Sequence, residues 1–445
     1  MRISVIGTGY VGLVTGVCLA EVGHDVTCVD VDPVKIQTIR AGKTPIFEEG
    51  LEPLLQRHIG KRLQVTGTLR NAVLESDVTF IAVGTPFDGK EIDLTYIRQA
   101  AREIGQALAG KTSYHLVIVK STVIPGTTDD VVAPIVAAES GKVAGRDFGV
   151  GMNPEFLTEG VAVKDFMDPD RIVLGGADEK AIDTMAAIYA PFKDAPVVRT
   201  NNKTAELIKY ASNATLATMI SFSNEIANLA TRLGGIDAAE VMKAVHLARY
   251  FTTTLKDGQR VTAPIASFLY AGCGFGGSCL PKDVSALAAQ GAAAGEPMRM
   301  LNSVLEINRE RPERTVAILR KHFPSLAGVR VAVLGLAFKA DTDDIRQSPA
   351  LPIIDLLLKD GAAVSAYDPI AVEPARKALP EGKVTFAASL EEAVCAADAV
   401  IITTSWKEFA RLPALLSDNA KPPVVVDGRR MLDKRSVRHY DGIGL

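Results

Sequence analysis

Between Arg2 and Asp30 the chain leaves few folds open. Arg2-Ile3-Ser4-Val5-Ile6 is an apolar run of strand length, and Gly7-Thr8-Gly9-Tyr10-Val11-Gly12 follows it without a spacer. A helical pattern then extends through Val22, and Asp25-Val26-Thr27-Cys28-Val29-Asp30 reads as a second strand ending in an acid. A G-x-G-x-x-G alone recurs by chance; strand, glycines, helix, strand and terminal acid in that order specify a dinucleotide-binding βαβ unit. The glycines permit a tight turn and the close approach of a pyrophosphate to the helix N-terminus, and Asp30 can accept hydrogen bonds from an adenosine ribose. With Val31 rather than an arginine after that acid, NAD is preferred over NADP. Lys35, one helical turn further on, belongs either near that ribose or on the solvated surface. The same glycines, with Gly16, interrupt the apolar stretch after Arg2 and argue against a signal peptide.

Further strands alternate with helical segments. Residues 78–83 run into Gly84-Thr85-Pro86, residues 116–119 into Lys120-Ser121-Thr122, and Phe148–Met152 into Asn153-Pro154-Glu155-Phe156-Leu157-Thr158-Glu159. Ligands of an open parallel sheet sit outside the carboxyl ends of its strands, which points Thr85 and Thr122 toward the nicotinamide side of the cofactor; the plainer alternative is that each caps a helix. Glu155 and Glu159 are either a surface pair or part of the same site. From about Thr204 to Leu233 a helical pattern of roughly 45 Å bridges domains, offers an apolar stripe for pairing subunits, and aligns Glu206, Lys209 and Asn213 on one face. A second long helix, about Met298 to His322, should kink or break at Pro312. A new α/β unit opens at Val329–Gly335, where Leu336-Ala337-Phe338-Lys339 replaces the later glycines of the fingerprint, so this half should not hold a pyrophosphate in the same way. The fold expected is α/β: a Rossmann NAD-binding domain over 1–200, a central long-helix region for dimerisation and catalysis over 201–324, and a Rossmann-like nucleotide-sugar domain over 325–445.

One thiol stands apart from the others. Gly274-Phe275-Gly276-Gly277-Ser278-Cys279-Leu280-Pro281-Lys282-Asp283 is a glycine-rich loop that runs into a helix. Pro281 suits the first helical turn, so Cys279 falls just outside the helix N-terminus, where the dipole and Lys282 favour a thiolate, and the glycines leave room for a substrate. Cys18, Cys28 and Cys395 lie in apolar patterns and read as core; Cys273 precedes the glycines and lacks the adjacent Pro-Lys-Asp. Five cysteines without regular spacing form neither a disulfide framework nor a metal site, which indicates a reducing cytoplasm. A net charge of −3 gives no basic field for nucleic acid, and no uninterrupted apolar run reaches membrane-spanning length.

Taken together, Gly7 to Gly12, Gly84-Thr85-Pro86, Lys120-Ser121-Thr122-Val123, Asn153 to Leu157, Gly274 to Asp283, Phe338-Lys339 with Asp343-Asp344-Ile345-Arg346, and Asp427-Gly428-Arg429-Arg430 resemble the UDP-glucose and GDP-mannose dehydrogenase family over nearly the whole chain. The resemblance implies two successive NAD-dependent oxidations of a sugar C6 alcohol to a carboxylate, with Cys279 capturing the aldehyde as a thiohemiacetal that becomes a thioester and is hydrolysed. It implies that Lys209 and Asn213 stabilise oxyanions, and that Asp283 and Thr122 handle water and its proton. Glu155, Phe156, Leu157, Thr158 and Glu159 would line the substrate, with Glu155 also among the catalytic residues and Glu159 also close to NAD. Phe268, Leu269, Tyr270, Ala271, Gly272, Gly276, Phe338, Lys339 and Arg429 would hold the nucleotide sugar. Gly7, Gly9, Tyr10, Val11, Gly12, Asp30, Lys35, Thr85, Thr122, Lys282 and Arg346 would hold or adjoin NAD.

The closing Asp-Gly-Arg-Arg leans toward UDP-glucose as substrate and UDP-glucuronate as product, with GDP-mannose or another UDP-sugar as alternative, in a homodimer or dimer-based oligomer. The chain departs from the family at Arg260, which is followed by Val261-Thr262 and a longer run into the glycine loop. Two readings from other classes are an ordinary two-electron hydroxy-acid dehydrogenase, against which Cys279 argues, and a non-catalytic NAD-binding regulator.

Overall fold

The computed structural model describes residues 1–417 and 419–445, and the chain divides into two compact units, Met1–Ser212 and Asn213–Leu445. In the first, the apolar runs become β1 (Arg2–Ile6), β2 (Asp25–Val29), β3 (Leu63–Thr66), β4 (Val78–Ile81), β5 (His115–Val119), β6 (Phe148–Met152), β7 (Ile172–Gly176) and β8 (Val197–Thr200). They form one sheet in the order β3-β2-β1-β4-β5-β6-β7-β8, parallel except between β6 and β7. The chain reverses its direction of progress between β1 and β4, which is the switch point where an open sheet of this kind binds a dinucleotide. Side chains such as Leu13 and Cys28 pack on one face and Ile104 and Val117 on the other, so the central strands are buried on both sides.

The second unit contains a hairpin of β9 (Thr252–Thr254) and β10 (Arg260–Thr262), then a parallel sheet of β11 (Arg330–Leu334), β12 (Ala363–Tyr367), β13 (Val384–Phe386), β14 (Ala399–Ile402), β15 (Val424–Asp427) and β16 (Tyr440–Gly442) in the order β13-β12-β11-β14-β15-β16. After β11 no helix starts until Ala350. Asp368, at the end of β12, instead accepts the backbone N–H groups of Leu336 (2.7 Å) and Ala337 (3.1 Å) and the indole of Trp406 (3.0 Å). The second unit therefore presents no helix N-terminus to a pyrophosphate after its first strand.

The helix Asn202–Leu233 continues from the first unit into the second, and at 32 residues it is about 48 Å long. Arg299–Arg320 remains one helix through Pro312, contrary to a break there. Its course is fixed by burial around the proline: Arg311, 1% exposed, donates to the Gly272 carbonyl and to Asn228, and Thr315 and Val316 are fully buried. Cys395 is exposed rather than core. The helix that buries Leu390, Ala393 and Val394 ends at Val394, and the next residue turns outward. Among the described residues no helix is long and apolar enough to cross a membrane, and no group of three or more His, Cys, Asp or Glu is placed to hold a metal.

Candidate functional site

In the first unit the fingerprint residues meet at the switch point. Gly7 has φ +97°, and a Cβ on Gly12 would lie 2.0 Å from the Gly7 carbonyl oxygen, so both positions require glycine. A Cβ on Gly9 would meet nothing within 4 Å, which leaves the backbone at the start of the helix Tyr10–Glu21 open to a ligand. The Asp30 carboxylate accepts from the Thr8 N–H (2.8 Å) and hydroxyl (2.5 Å) and from the Asp32 N–H (3.0 Å). Burial pushes Asp30 up, but these donors and Lys35 outweigh it and hold the carboxyl below its ordinary range. Turn, open helix end and anchored acid fit the pyrophosphate and ribose of NAD. Tyr10 donates to Glu48, whose carboxylate also accepts the N–H groups of Gly160 (2.7 Å) and Ala162 (2.7 Å). The fingerprint is thereby tied to the loop that carries Glu159, a link no sequence motif showed.

Neither threonine caps a helix. Thr85 donates its hydroxyl to the Thr122 carbonyl at 2.8 Å, and the helical segments that follow begin later, at Thr95 and Thr127. The two loops at the carboxyl ends of β4 and β5 are joined there. At the end of β6, Glu155 is buried and pairs with Lys209 at 2.8 Å, while it accepts the Leu157 N–H at 2.6 Å. Burial raises the Glu155 carboxyl, yet Lys209, the Leu157 N–H and Lys120 together bring it below the ordinary value. Glu155 is therefore no member of a surface pair. Phe156 lies beneath Arg171 (3.8 Å from the ring centroid) with Lys209 at 5.7 Å; Thr158 is exposed, and Leu157 and Glu159 are partly buried.

Glu206, Lys209 and Asn213 are all buried. They part ways chemically. Glu206 accepts the N–H groups of Gly126 (2.6 Å) and Thr128 (2.8 Å) and the Thr128 hydroxyl (2.7 Å), a structural use that holds the loop after Thr122.

In the second unit Cys279 is exposed and directly precedes the helix Leu280–Ala293, with Pro281 in its first turn, whereas Cys273 is fully buried against the Gly428 carbonyl. Four residues on, Asp283 is 1% exposed and accepts from Lys282 Nζ (2.5 Å) and Asn213 Nδ2 (2.6 Å). The glycines that lead to the thiol serve packing as well as access. A Cβ on Gly276 would lie 2.3 Å from the Gln347 carbonyl oxygen, and one on Gly277 (φ +81°) 2.8 Å from the Phe338 ring. Room for substrate alone does not explain them.

Phe268, Tyr270, Ala271, Gly272 and Arg429 line one cavity of about 420 Å³ in this unit, joined by Lys243 and Ser405, which the sequence did not single out. Leu269 is buried beside them. The Arg429 guanidinium donates to the carbonyls of Thr403 (2.6 Å), Gly274 (3.3 Å) and Phe338 (3.5 Å), joining three loops. Lys339 and Arg346 lie on the loop packed against Gly276 and Gly277, with Arg346 paired to Asp344 at 2.7 Å. Arg260 donates to the Leu247 carbonyl from the β9–β10 hairpin.

Family models match along the chain in order: the UDP-glucose/GDP-mannose dehydrogenase family NAD binding domain over residues 1–193, its central domain over 203–310 and its UDP binding domain over 332–434. The UDP-glucose 6-dehydrogenase AglM of Haloferax volcanii is 43% identical over 100% of both chains, and a GDP-mannose 6-dehydrogenase of Pseudomonas aeruginosa is 40% identical over 93% of both. The structure of a UDP-glucose dehydrogenase from Pyrobaculum islandicum superposes with a TM-score of 0.90 at 41% identity, covering 99% of this chain and 97% of that one.

Proposed function

Because the chain belongs to the UDP-glucose/GDP-mannose dehydrogenase family and is an NAD-dependent nucleotide-sugar 6-dehydrogenase, we propose that it oxidises UDP-glucose to UDP-glucuronate through a thiohemiacetal and a thioester on Cys279. NAD accepts the hydride in each of the two oxidations. The observation that carries the cysteine chemistry is an exposed thiol at a helix N-terminus followed by a buried carboxylate fixed by an amide and an ammonium. Cys279 attacks the aldehyde carbon, and Asp283 with Thr122 takes the proton of the water that hydrolyses the thioester. Lys209 and Asn213 donate to the oxyanions at each stage. Glu155, Phe156, Leu157, Thr158 and Glu159 bind and orient the sugar. Phe268 to Gly272, Gly276, Phe338, Lys339 and Arg429 hold the nucleotide; Lys35, Thr85, Glu159, Lys282 and Arg346 adjoin the cofactor.

UDP-glucose is chosen over GDP-mannose because, of the relatives that match end to end, one named for UDP-glucose is 43% identical and one named for GDP-mannose 38%, and a UDP-glucose dehydrogenase structure superposes with a TM-score of 0.90 against 0.54 for a GDP-mannose dehydrogenase. Two copies pair through Phe222, Leu229 and Leu233 of the long helix, which are 49, 54 and 64% exposed on one stripe. The enzyme works in a reducing cytoplasm that keeps Cys279 from oxidation. An absorbance assay of NAD reduction with UDP-glucose, GDP-mannose and the N-acetylated UDP-sugars side by side tests the assignment: UDP-glucose should give the highest kcat/KM, and a higher value for any other sugar refutes it.

A further inference from the structure

The Lys209–Glu155 pair has a charged neighbour that none of the roles above uses. Lys120 directly follows β5 and is 4% exposed. Its Nζ lies 2.9 Å from Asn153 Oδ1 and 3.5 Å from the Tyr189 hydroxyl, with the Tyr189 ring centroid at 5.9 Å. The Tyr189 hydroxyl donates to the same Asn153 oxygen at 2.5 Å, and Asn153 Nδ2 donates to the Val173 carbonyl at 2.8 Å, which fixes the amide's orientation. Among the described residues the hydrogen-bond partners of Lys120 are neutral oxygens. An ammonium buried among neutral groups is costly, and a methionine of similar length would fill the space without that cost.

What the charge does is set by the groups that surround it. Burial lowers Lys120 to about 8, Glu155 pulls it up and Lys209 pushes it down. Glu155 in turn is held ionised partly by Lys120. Two buried ammonium groups thus act on one buried carboxylate, Lys209 in direct contact with it. The Lys209–Glu155 pair alone is neutral and has no surplus charge to offer an oxyanion; with Lys120 the trio carries one positive charge in excess, which matches the charge an oxyanion develops. Lys120 and Glu155 border one cavity of about 210 Å³ that is also lined by Asp165, Asp168, Asp170 and Arg171; of these Asp165 accepts the Thr158 N–H and Asp170 pairs with Arg171.

We propose that Lys120 is a positioning residue for the reaction: seated on Asn153 and Tyr189, its ammonium keeps the Glu155 carboxylate ionised and aimed, so that Lys209 meets the oxyanion charged and in place. This rests on the reading of Lys209 as an oxyanion donor. Lys120→Met, Lys120→Arg, Asn153→Asp and Lys209→Met, each checked for its thermal midpoint, separate the possibilities. Lys120→Met should lower kcat about ten- to a hundredfold with both KM values within about threefold, and Lys120→Arg should recover about tenfold of that loss. The acid limb of the kcat profile should move to higher pH in Lys120→Met, since Glu155 without one of its cations takes up a proton sooner. Asn153→Asp, which gives Lys120 an anionic partner, should move the alkaline limb upward. A Lys120→Met enzyme with the wild-type pH profile, or with activity lost only in proportion to folded protein, overturns the proposal; if that variant does not fold, an unmoved alkaline limb in Asn153→Asp overturns it. Lys209→Met that keeps its kcat refutes the reading of Lys209 instead.

Discussion

Replacing Asp283 by asparagine keeps the shape of the side chain and removes its charge. The carboxylate, 1% exposed, receives Lys282 Nζ at 2.5 Å on one oxygen and Asn213 Nδ2 at 2.6 Å on the other. An amide has one accepting oxygen, so its NH₂ must face one of these two donors, and a charge-assisted bond of about 1.5–3 kcal/mol is lost. Loss of a general base costs a further rate factor of about 10²–10⁴, equivalent to about 2.7–5.4 kcal/mol. If Asp283 serves the hydrolytic water, that cost falls on the last step and leaves both hydride transfers in place. Stopped-flow absorbance should then show a burst approaching two NADH per site, followed by slow turnover, and acid-quenched enzyme should carry a sugar adduct on the Cys279 peptide. The burst itself certifies that the variant is folded. Turnover within about threefold of wild type, or slow turnover with neither burst nor adduct, would refute the assignment.

Two further predictions come from packing and burial. Gly277→Ala puts a Cβ at φ +81° and 2.8 Å from the Phe338 ring. The conformation alone costs about 1–2 kcal/mol, and the displaced ring should raise KM for the nucleotide sugar while KM for NAD is unchanged; equal KM values for the sugar in steady-state assays contradict this. His115 is fully buried, with Nε2 2.8 Å from the Thr79 hydroxyl, and burial, then Lys111, hold its pKa down to about 3 from 6.5. A folded pKa below the unfolded one means that the unfolded chain takes the proton first, so this contribution to stability is complete above pH 6.5 and is lost as pH falls toward 3. The thermal midpoint of wild type should therefore fall more steeply with acid than that of His115→Gln, and parallel curves refute the sign.

The strands and the dinucleotide turn could be read from the sequence because apolar runs, glycine geometry and a terminal acid are local signals. Partnerships across distant segments left no such trace. Glu206, Lys209 and Asn213 share a helix face in the sequence, yet Glu206 goes to the Gly126–Thr128 loop, Lys209 to Glu155 and Asn213 to Asp283, which only the tertiary fold assigns. The glycines before Cys279 were legible as a special loop, but their tight fit against Gln347 and Phe338 depends on a segment distant in the chain. Cys395 fits an apolar composition and is exposed because its helix stops one residue earlier. Lys120 stood in plain view beside Thr122; that its ammonium is buried among neutral oxygens required coordinates. A lysine at the carboxyl end of a buried strand is the one signal that pointed to it.

The central claim is that one thiol links two oxidations in a single cycle. With limiting UDP-glucose and excess NAD, NADH formed per sugar consumed should be two for the wild-type enzyme and one for Cys279→Ala, with the aldehyde trapped by an added hydrazine. One NADH per sugar from the wild type, or two from Cys279→Ala at the wild-type rate, would contradict it.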